Sequence, residues 1–388
     1  MHKNRNNQKM STTTNTQRIN SMDALRALAM FLGVVLHAVM AYTITPFENF
    51  YHDPHYSSGA YDVIFFVIHT FRMQLFYLIA GFFFRLLYFR IGEAAFIKHR
   101  TQRILIPFVV GLFLILPFTN LPLTAYTVTG GGQHLTGPDV SLILHNIMIW
   151  RGPVHLWFLY YLTLFYIIGI VLLRLKLPKL PVTIVPALLL VGSFVSLLLF
   201  DTYYIKYTPG LVPKPNYILY YGIFVYAGWV LHEHKEKYFP LLKRYGLTFT
   251  AIGMAAALLI YNNSTTADIL LKAGMTIATA SLVLGFLGVF LRWVNAESYT
   301  MRYLSDASYW VYLVHVGLVY MMQAWLGDTQ LPGILKPVLC FIVPVAISLL
   351  TYQWFVRYTI IGFYLHGKRE KSNTEEHKRV YKVSTSKS

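Results

Sequence analysis

The sequence predicts an all-α, polytopic membrane bundle of about ten transmembrane helices, with both termini in the cytoplasm. Its 388 residues are 56% hydrophobic and only 13% charged, whereas roughly a quarter of the residues in soluble proteins are charged. Ten mostly apolar segments approach the length of about 20 residues that a helix needs to cross a bilayer. Lysine and arginine are concentrated in alternate connecting loops, which is the charge pattern of membrane proteins.

The ten predicted spans form one membrane domain over residues 21–365. They lie at residues 24–45, 61–88, 104–125, 155–175, 181–200, 217–232, 245–262, 268–291, 308–326 and 334–356. Residues 1–20 are polar, and we expect a disordered cytoplasmic segment there. Residues 366–388 are charged, and we expect a cytoplasmic tail there.

The basic residues assign a side of the membrane to each loop. If the first span runs outward, the inner segments contain 26 of the 33 lysines and arginines, and the outer segments contain only 4. The net charge of +17 then reflects topology and attraction to anionic lipid, not nucleic-acid binding. A cleaved signal peptide at the first span is disfavoured because no clean cleavage site follows it and its removal would spoil this alternation.

Several soluble functions lack the motifs that they require. The single cysteine, Cys340, allows no disulfide framework and no thiolate metal site. The chain has no CxxC motif and no P-loop, and the run "TGGGQHLTGP" in the outer loop 126–154 indicates a flexible connection. Histidines in the spans lack metal-ligand spacing, and no carboxylate shares their depth, so we predict neither a metal site nor a permanently bound cofactor.

The first span carries two polar residues on one helical face. Arg26 and His37 are eleven residues apart, which places them on the same face and about 16 Å apart along the axis. Asp23 shares this face at the cytoplasmic end. We expect Arg26 near the inner mouth of a passage and His37 deeper in it. The alternatives are that Arg26 reaches the lipid headgroups and that His37 only bonds a neighbouring helix.

The second span contains His69, Arg72 and Gln74. His69 and Arg72 are an i,i+3 pair, and the depth of His69 matches that of His37 in a hydrocarbon core about 30 Å thick. Charged residues in spans are costly and usually functional. No acidic residue lies at the depth of Arg72, so its charge suits an anionic ligand or a developing oxyanion. Its alternative role is to cap the carbonyls of a broken helix.

Later segments add further candidates. Arg100 and Arg103 in "KHRTQRILIP" form an i,i+3 pair that could clamp phosphate, although an ordinary positive-inside cluster is an equal alternative. His155 precedes an aromatic belt that could explain it, and His315 with Tyr312 fits core hydrogen bonding as well as catalysis. Lys272 lies near the outer end of its span and is expected to reach the headgroups.

These residues resemble acyltransferase family 3, the multispan membrane acyltransferases. The family signature is an arginine and a histidine separated by ten residues on the first span, which Arg26 and His37 match. The stretches "IHTFRMQLFYLIAGFFF", "RTQRILIPF", "VHLWFLYYL" and "DASYWVYLVH" are similar to the glucan biosynthesis protein C branch, which is known for succinylating periplasmic glucans. The chain departs from this pattern at Gly317, where relatives often have proline.

The resemblance implies O-acyl transfer from cytoplasmic acyl-CoA to an extracytoplasmic carbohydrate hydroxyl, in the cytoplasmic membrane, with a succinyl or acetyl group. We expect His37 to act as general base and His69 or Arg72 to orient it or stabilise the oxyanion. Arg26, Arg100 and Arg103 would bind the phosphates of the donor. The possible supporting residues are Asp23, Gln74, His155, Tyr312 and His315.

Two alternatives belong to other classes of function. A secondary transporter could use Arg72 to bind an anionic solute, but such proteins often show internal repeats and interrupted helices, and neither is visible in the sequence. A scaffold subunit could use its histidines for packing alone. Arg72 and the shared depth of His37 and His69 favour the enzyme.

Overall fold

A computed structural model of the chain describes residues 20–47, 50–129, 137–147, 152–176, 181–206, 210–263, 265–294, 298–327 and 329–369. The described residues form helices and no strand, which confirms the predicted all-α class. The disorder expected at residues 1–20 and the tail expected at 366–388 fall almost entirely outside the described residues. The same holds for most of the glycine-rich run in the outer loop.

Fourteen α-helices follow one another in the described chain. They are α1 (Asn20–Val39), α2 (Gly59–Ile91), α3 (Glu93–Arg100), α4 (Ile106–Thr129), α5 (Gly137–Asn146), α6 (Trp157–Arg174), α7 (Val185–Ala187), α8 (Ser193–Leu197), α9 (Pro215–Glu233), α10 (Lys235–Asn262), α11 (Asp268–Trp293), α12 (Tyr299–Gly327), α13 (Leu335–Thr351) and α14 (Ile360–His366). Short 3₁₀ segments lie at Met40–Tyr42, Val154–Leu156 and Val182–Ile184. Single π-helical turns lie at Thr101–Leu105, Leu188–Gly192 and Tyr352–Val356.

Eight helical stretches of the described chain are long and apolar enough to cross a membrane. The other two predicted spans are also helical but differ in character. Val182–Leu197 is shorter than a full span. Helix α9 has 19 residues, among them several tyrosines, a proline and an asparagine, and is not among the eight. The predicted third span is longer than expected, because α3 and α4 continue through Thr101–Leu105.

Both ends of the described chain lie at one end of the bundle. Arg26 near the start of α1 donates to the Ser305 hydroxyl on α12 at 3.1 Å. Arg369, after α14, pairs with the neighbouring Asp306 at 2.6 Å. This arrangement agrees with an even number of crossings, and the cytoplasmic assignment of this end stays a prediction from the charge pattern.

Helix α2 lies at the centre and packs on α1, α9 and α11, while α12 packs on α1, α4 and α13. Helices α2 and α9 approach closely through Gly81 and Gly228, where an added Cβ would collide with the backbone carbonyls of Val225 and Leu78. Small residues allow such contacts between membrane helices. Large apolar side chains such as Phe113, Leu259 and Trp354 project outward, where a soluble protein would carry charges.

The expectation that Lys272 reaches the headgroups is wrong. Its side chain is buried, pairs with Asp268 at 2.7 Å and donates to the Phe200 carbonyl at 2.8 Å. Lys336, which the charge pattern assigns to an outer segment, is likewise buried and pairs with Asp53 at 2.9 Å. Buried cations need such partners, and the second pair anchors the segment between α1 and α2.

Candidate active site

A cavity of about 760 Å³ lies among α1, α2, α6 and α12. Thr43 and Phe47, from the segment between α1 and α2, line it as well, as does Lys206 from the segment before α9. Its polar interior is formed by four histidines and an arginine: His37, His69, Arg72, His155 and His315. The three predicted catalytic residues therefore share one cavity, as their matching depths indicated.

Three of the histidines form a row. The ring centroids of His37 and His315 are 5.3 Å apart, and those of His315 and His155 are 5.6 Å apart. The packing of α12 on α1 brings the first pair together, and the turn Val154–Leu156 before α6 supplies His155. His155 and His315 are buried, whereas His37 is partly accessible. His37 is thus the member of the row that a substrate can reach most directly.

Backbone contacts fix the tautomers of two rings in the row. Nδ1 of His315 donates to the carbonyls of Tyr312 at 2.8 Å and Val311 at 3.0 Å, and Nε2 of His155 donates to Leu313 at 3.0 Å. A neutral ring that donates through one nitrogen carries its lone pair on the other. Nε2 of His315 and Nδ1 of His155 are therefore acceptors, and both are buried without a hydrogen-bond partner among the described residues.

Nδ1 of His37 is also buried with no partner in the described part of the chain. Its backbone is held separately, because Gln323 on α12 donates to the His37 carbonyl at 2.8 Å. The end of α1 is therefore fixed while the imidazole keeps its hydrogen-bonding capacity. Unsatisfied buried nitrogens are costly, so the row suits a polar ligand or a transferred proton.

His69 occupies a different part of the cavity. Its Nε2 donates to the Ile205 carbonyl at 2.8 Å, and its ring stacks on Tyr204 with centroids 4.3 Å apart. Phe65 stacks on the ring as well, with centroids 5.6 Å apart. These contacts fix the ring between Phe65 on α2 and the segment before α9, which contains Tyr204 and Ile205. His69 is thus placed to orient a group in the cavity.

Arg72 projects toward α1 and fills the space beside Gly33, where an added Cβ would collide with its Nη1. Gly33 lies one turn before His37 on α1, so the guanidinium of Arg72 lies next to the imidazole of His37. No carboxylate in the described ranges forms an ion pair with Arg72, and its Nε has no hydrogen-bond partner there. The alternative role of capping the carbonyls of a broken helix is not observed, because no backbone carbonyl in the described residues accepts a hydrogen bond from Arg72.

The supporting candidates divide between the cavity and other places. Tyr312 lines the cavity and donates to the His155 carbonyl at 2.7 Å, which links α12 to the turn before α6. Gln74 lies outside the lining and donates to the Tyr220 hydroxyl at 3.1 Å. Asp23 pairs with Arg26 at 3.4 Å, near the start of α1. Gln74 and Asp23 therefore support the bundle and the start of α1, not the cavity.

Arg26, Arg100 and Arg103 lie together at the end of the bundle where α1 begins, and we call these three residues the basic cluster. The Arg26 guanidinium lies over the Phe83 ring at 5.9 Å, and Arg100 donates to the Phe83 carbonyl at 3.4 Å. Arg100 also stacks on Tyr166 at 4.9 Å, and both other arginines repel Arg103. The cluster is separate from the cavity lining.

Tyrosines on α12 connect the two regions. The Tyr309 hydroxyl donates to the Arg103 carbonyl at 2.9 Å, and its ring packs against Tyr312 with centroids 6.2 Å apart. Tyr312 in turn lines the cavity. A ligand held at the basic cluster and extending along these rings would point toward the histidine row.

Sequence reasoning did not predict the aromatic wall of the cavity. Trp157, Phe158, Tyr203, Tyr204 and Tyr221 line it, and only the general richness in aromatic residues gave a signal. Sequence reasoning also left the roles of His155 and His315 open. The residues around each histidine fit a structural position, in an aromatic belt or in the packed core, as well as a position in the site. Within the described ranges no group of three or more possible metal ligands is present.

Comparisons with known proteins identify the family of the chain. The family profile for the acyltransferase domain of acyltransferase family 3 matches residues 19–353. Glucans biosynthesis protein C of Escherichia coli O1:K1 is 24% identical over 377 residues, covering 91% of this chain and 95% of the relative. The protein of the same name from Escherichia coli K12 is 24% identical over 378 residues, with the same coverage.

No solved structure matches the chain. The family match favours the enzyme over the transporter and scaffold alternatives. The sequence, the helical membrane bundle and the histidine-lined cavity agree with it: the chain belongs to acyltransferase family 3 and is a multi-pass membrane acyltransferase.

Proposed function

We propose that the protein transfers an acyl group, succinyl or acetyl, from cytoplasmic acyl-CoA to a hydroxyl of an extracytoplasmic glucan or other cell-envelope carbohydrate. The observation that carries this proposal is the cavity in which His37 and Arg72 neighbour each other while the basic cluster lies at the other end of α1. Arg26 and His37 are about 16 Å apart along the helix. The flexible pantetheine arm of coenzyme A separates its phosphates from its thioester and suits such a spacing.

The chemistry follows from the side chains of the cavity. His37 takes the proton of the acceptor hydroxyl as its oxygen attacks the thioester carbon. Arg72 stabilises the negative charge that develops on the carbonyl oxygen. The carbon–sulfur bond then breaks, and the leaving thiolate of coenzyme A takes up the proton that His37 removed, which restores the neutral imidazole. Acyl-CoA is a co-substrate, and no permanently bound cofactor is required.

A carbohydrate acceptor is supported by the cavity walls and by the relatives. Trp157 and Tyr203 line the cavity, and aromatic rings are surfaces against which the C–H faces of a sugar ring can pack. The relatives are named for glucan biosynthesis. The cavity lies at the end of α1 that the charge pattern assigns to the outside, so the acceptor would enter from there and the enzyme would act in the cytoplasmic membrane.

The function is tested by reconstituting the purified protein in lipid vesicles with labelled succinyl-CoA or acetyl-CoA and an isolated glucan. We expect mass added to the glucan in units of one acyl group per hydroxyl, and release of free coenzyme A, as measured by mass spectrometry. Glycans from envelopes with and without the gene should show the same mass difference. Uptake of an anionic solute without acyl transfer would contradict the proposal.

His315 is expected to act through His37 as a positioning residue. Its Nε2 is an acceptor without a partner, and the His37 ring with its unpartnered Nδ1 lies 5.3 Å away between centroids. A hydrogen bond from His37 Nδ1 to this acceptor would leave His37 Nε2 as the base. We expect His315→Ala to lower kcat about 100-fold, the lower end of general acid–base effects, with little change in KM.

The variant His315→Gln provides the control, because its side-chain carbonyl can accept near the position of Nε2. We expect it to recover part of kcat. A His315→Ala enzyme that melts at a lower temperature but keeps normal kcat would show that His315 only packs.

A further inference from the structure

The C-terminal segment packs against the basic cluster, although it lies beyond the family match, which ends at residue 353. This segment comprises α14 and continues to Arg369, the last described residue. Arg369 pairs with Asp306 on α12 at 2.6 Å. The segment therefore brings a fourth arginine to the end of the bundle where α1 begins.

The turn at Gly367 fits the Arg103 guanidinium. Gly367 has a φ of +93°, which L side chains rarely adopt, and an added Cβ would collide with Nη2 of Arg103. The neighbouring His366 ring packs on Tyr352 with centroids 5.6 Å apart. The backbone is thus shaped to place Arg103 and Arg369 beside each other, and the two charges repel.

The charges here do not balance within the described residues. The four arginines face two carboxylates, Asp23 on Arg26 and Asp306 on Arg369. Arg100 and Arg103 form no ion pair with a carboxylate in the described ranges, although Asp306 attracts Arg103. The Nε atoms of Arg100 and Arg369 are buried without a hydrogen-bond partner there. Convergent guanidinium groups with unused donors suit an anion with several oxygens, of which phosphate is the usual example.

We propose that the C-terminal segment completes a phosphate-binding pocket, in which Arg369 is a fourth phosphate-binding residue beside Arg26, Arg100 and Arg103. The phosphate can belong to the acyl donor or to a lipid headgroup at this end of the bundle. The choice of coenzyme A as the principal probe rests on the proposed function. The pocket itself rests on the placement of the four arginines.

The test measures the binding of coenzyme A to the full chain in nanodiscs of zwitterionic lipid. We expect Arg369→Ala to weaken binding about tenfold, which corresponds to about 1.4 kcal/mol. Asp306→Asn distinguishes phosphate binding by Arg369 from docking of the C-terminal segment. It breaks the same ion pair as Arg369→Ala but removes a negative charge from the pocket. We expect Asp306→Asn to bind coenzyme A as tightly as the wild type or more tightly.

Two further variants serve as controls. Lys368→Ala removes an equal charge from the adjacent, exposed position and should leave the affinity unchanged. Arg369→Lys keeps the charge and should recover part of the affinity. Melting temperature and gel filtration confirm that each variant is folded. Equal losses in Arg369→Ala and Asp306→Asn would show that Arg369 only docks the segment, and would overturn the proposal.

A second measurement distinguishes the two sources of phosphate. Nanodiscs with added phosphatidylglycerol report whether an anionic headgroup raises the melting temperature of the wild type but not of Arg369→Ala. That result, with coenzyme A affinity unaffected by Arg369→Ala, would support the pocket with lipid as its ligand. A wild type that binds no coenzyme A would contradict the proposed donor while leaving this lipid test intact. If neither ligand depends on Arg369, the pocket is wrong.

Discussion

His37→Ala is expected to lower kcat for acyl transfer about 1,000-fold, within the range by which general acid–base catalysis accelerates reactions. The loss is expected because His37 is the proposed base, and it is the member of the histidine row that is partly accessible from the cavity. Its fold should be retained, because Gln323 holds the backbone carbonyl of residue 37 and not its side chain. The measurement is the rate of acyl transfer to glucan by the purified variant in lipid vesicles.

His55→Ala is the matched control, since His55 is exposed and outside the cavity lining. It should transfer at the wild-type rate. Near-normal transfer by His37→Ala would show that another group is the base, and His315 would be the next candidate because its Nε2 carries an unpartnered lone pair.

Arg72→Met is expected to lower kcat about 100-fold to 1,000-fold, the loss observed when a donor to a developing oxyanion is removed. The reason is that Arg72 is a cation with no carboxylate partner in the described residues, beside the proposed base. The rate is measured with succinyl-CoA and acetyl-CoA in parallel. Equal losses indicate an oxyanion role, whereas a larger loss with succinyl-CoA indicates that Arg72 binds the free carboxylate of the acyl group.

Gly33→Ala tests the same placement without removing the charge. Its added Cβ would collide with Nη1 of Arg72, and a displacement of about 1 Å can cost up to about 100-fold in rate. Gly222→Ala is the control, because its Cβ would make only an ordinary contact of 3.5 Å with Phe165. Normal rates in both Arg72→Met and Gly33→Ala would rule out a role for Arg72 in the reaction.

Much of the site could be predicted from positions along single helices. The eleven-residue spacing of Arg26 and His37, and the shared depth of His37 and His69, follow from a fixed rise per residue and a fixed membrane thickness. The cavity contains His37, His69 and Arg72, as this arithmetic indicated. Arg26, Arg100 and Arg103 likewise meet at one end of the bundle, as the distribution of basic residues indicated.

The errors arose where contacts between helices decide the outcome. Lys272 was expected to reach the headgroups, but it finds Asp268 and the Phe200 carbonyl inside the bundle. His155 could not be separated from an aromatic belt, because its neighbours in sequence are aromatic in either case. Arg369 could not be recognised as part of the basic cluster, since a charged tail gives no sign of where it folds back.

The sequence by itself determined that this protein is a helical membrane bundle and which polar residues it retains within the spans. A charged residue inside an apolar segment is visible in the local composition, and such a residue is energetically costly in lipid. Only the tertiary structure decided that His315 lies between His37 and His155, that Arg72 fits beside Gly33 and that Arg369 joins the basic cluster. The apolar residues of helix α2 are spread over all of its faces, so their periodicity does not indicate its rotation. The contact of Arg72 with Gly33 depends on that rotation, which packing between the helices fixes.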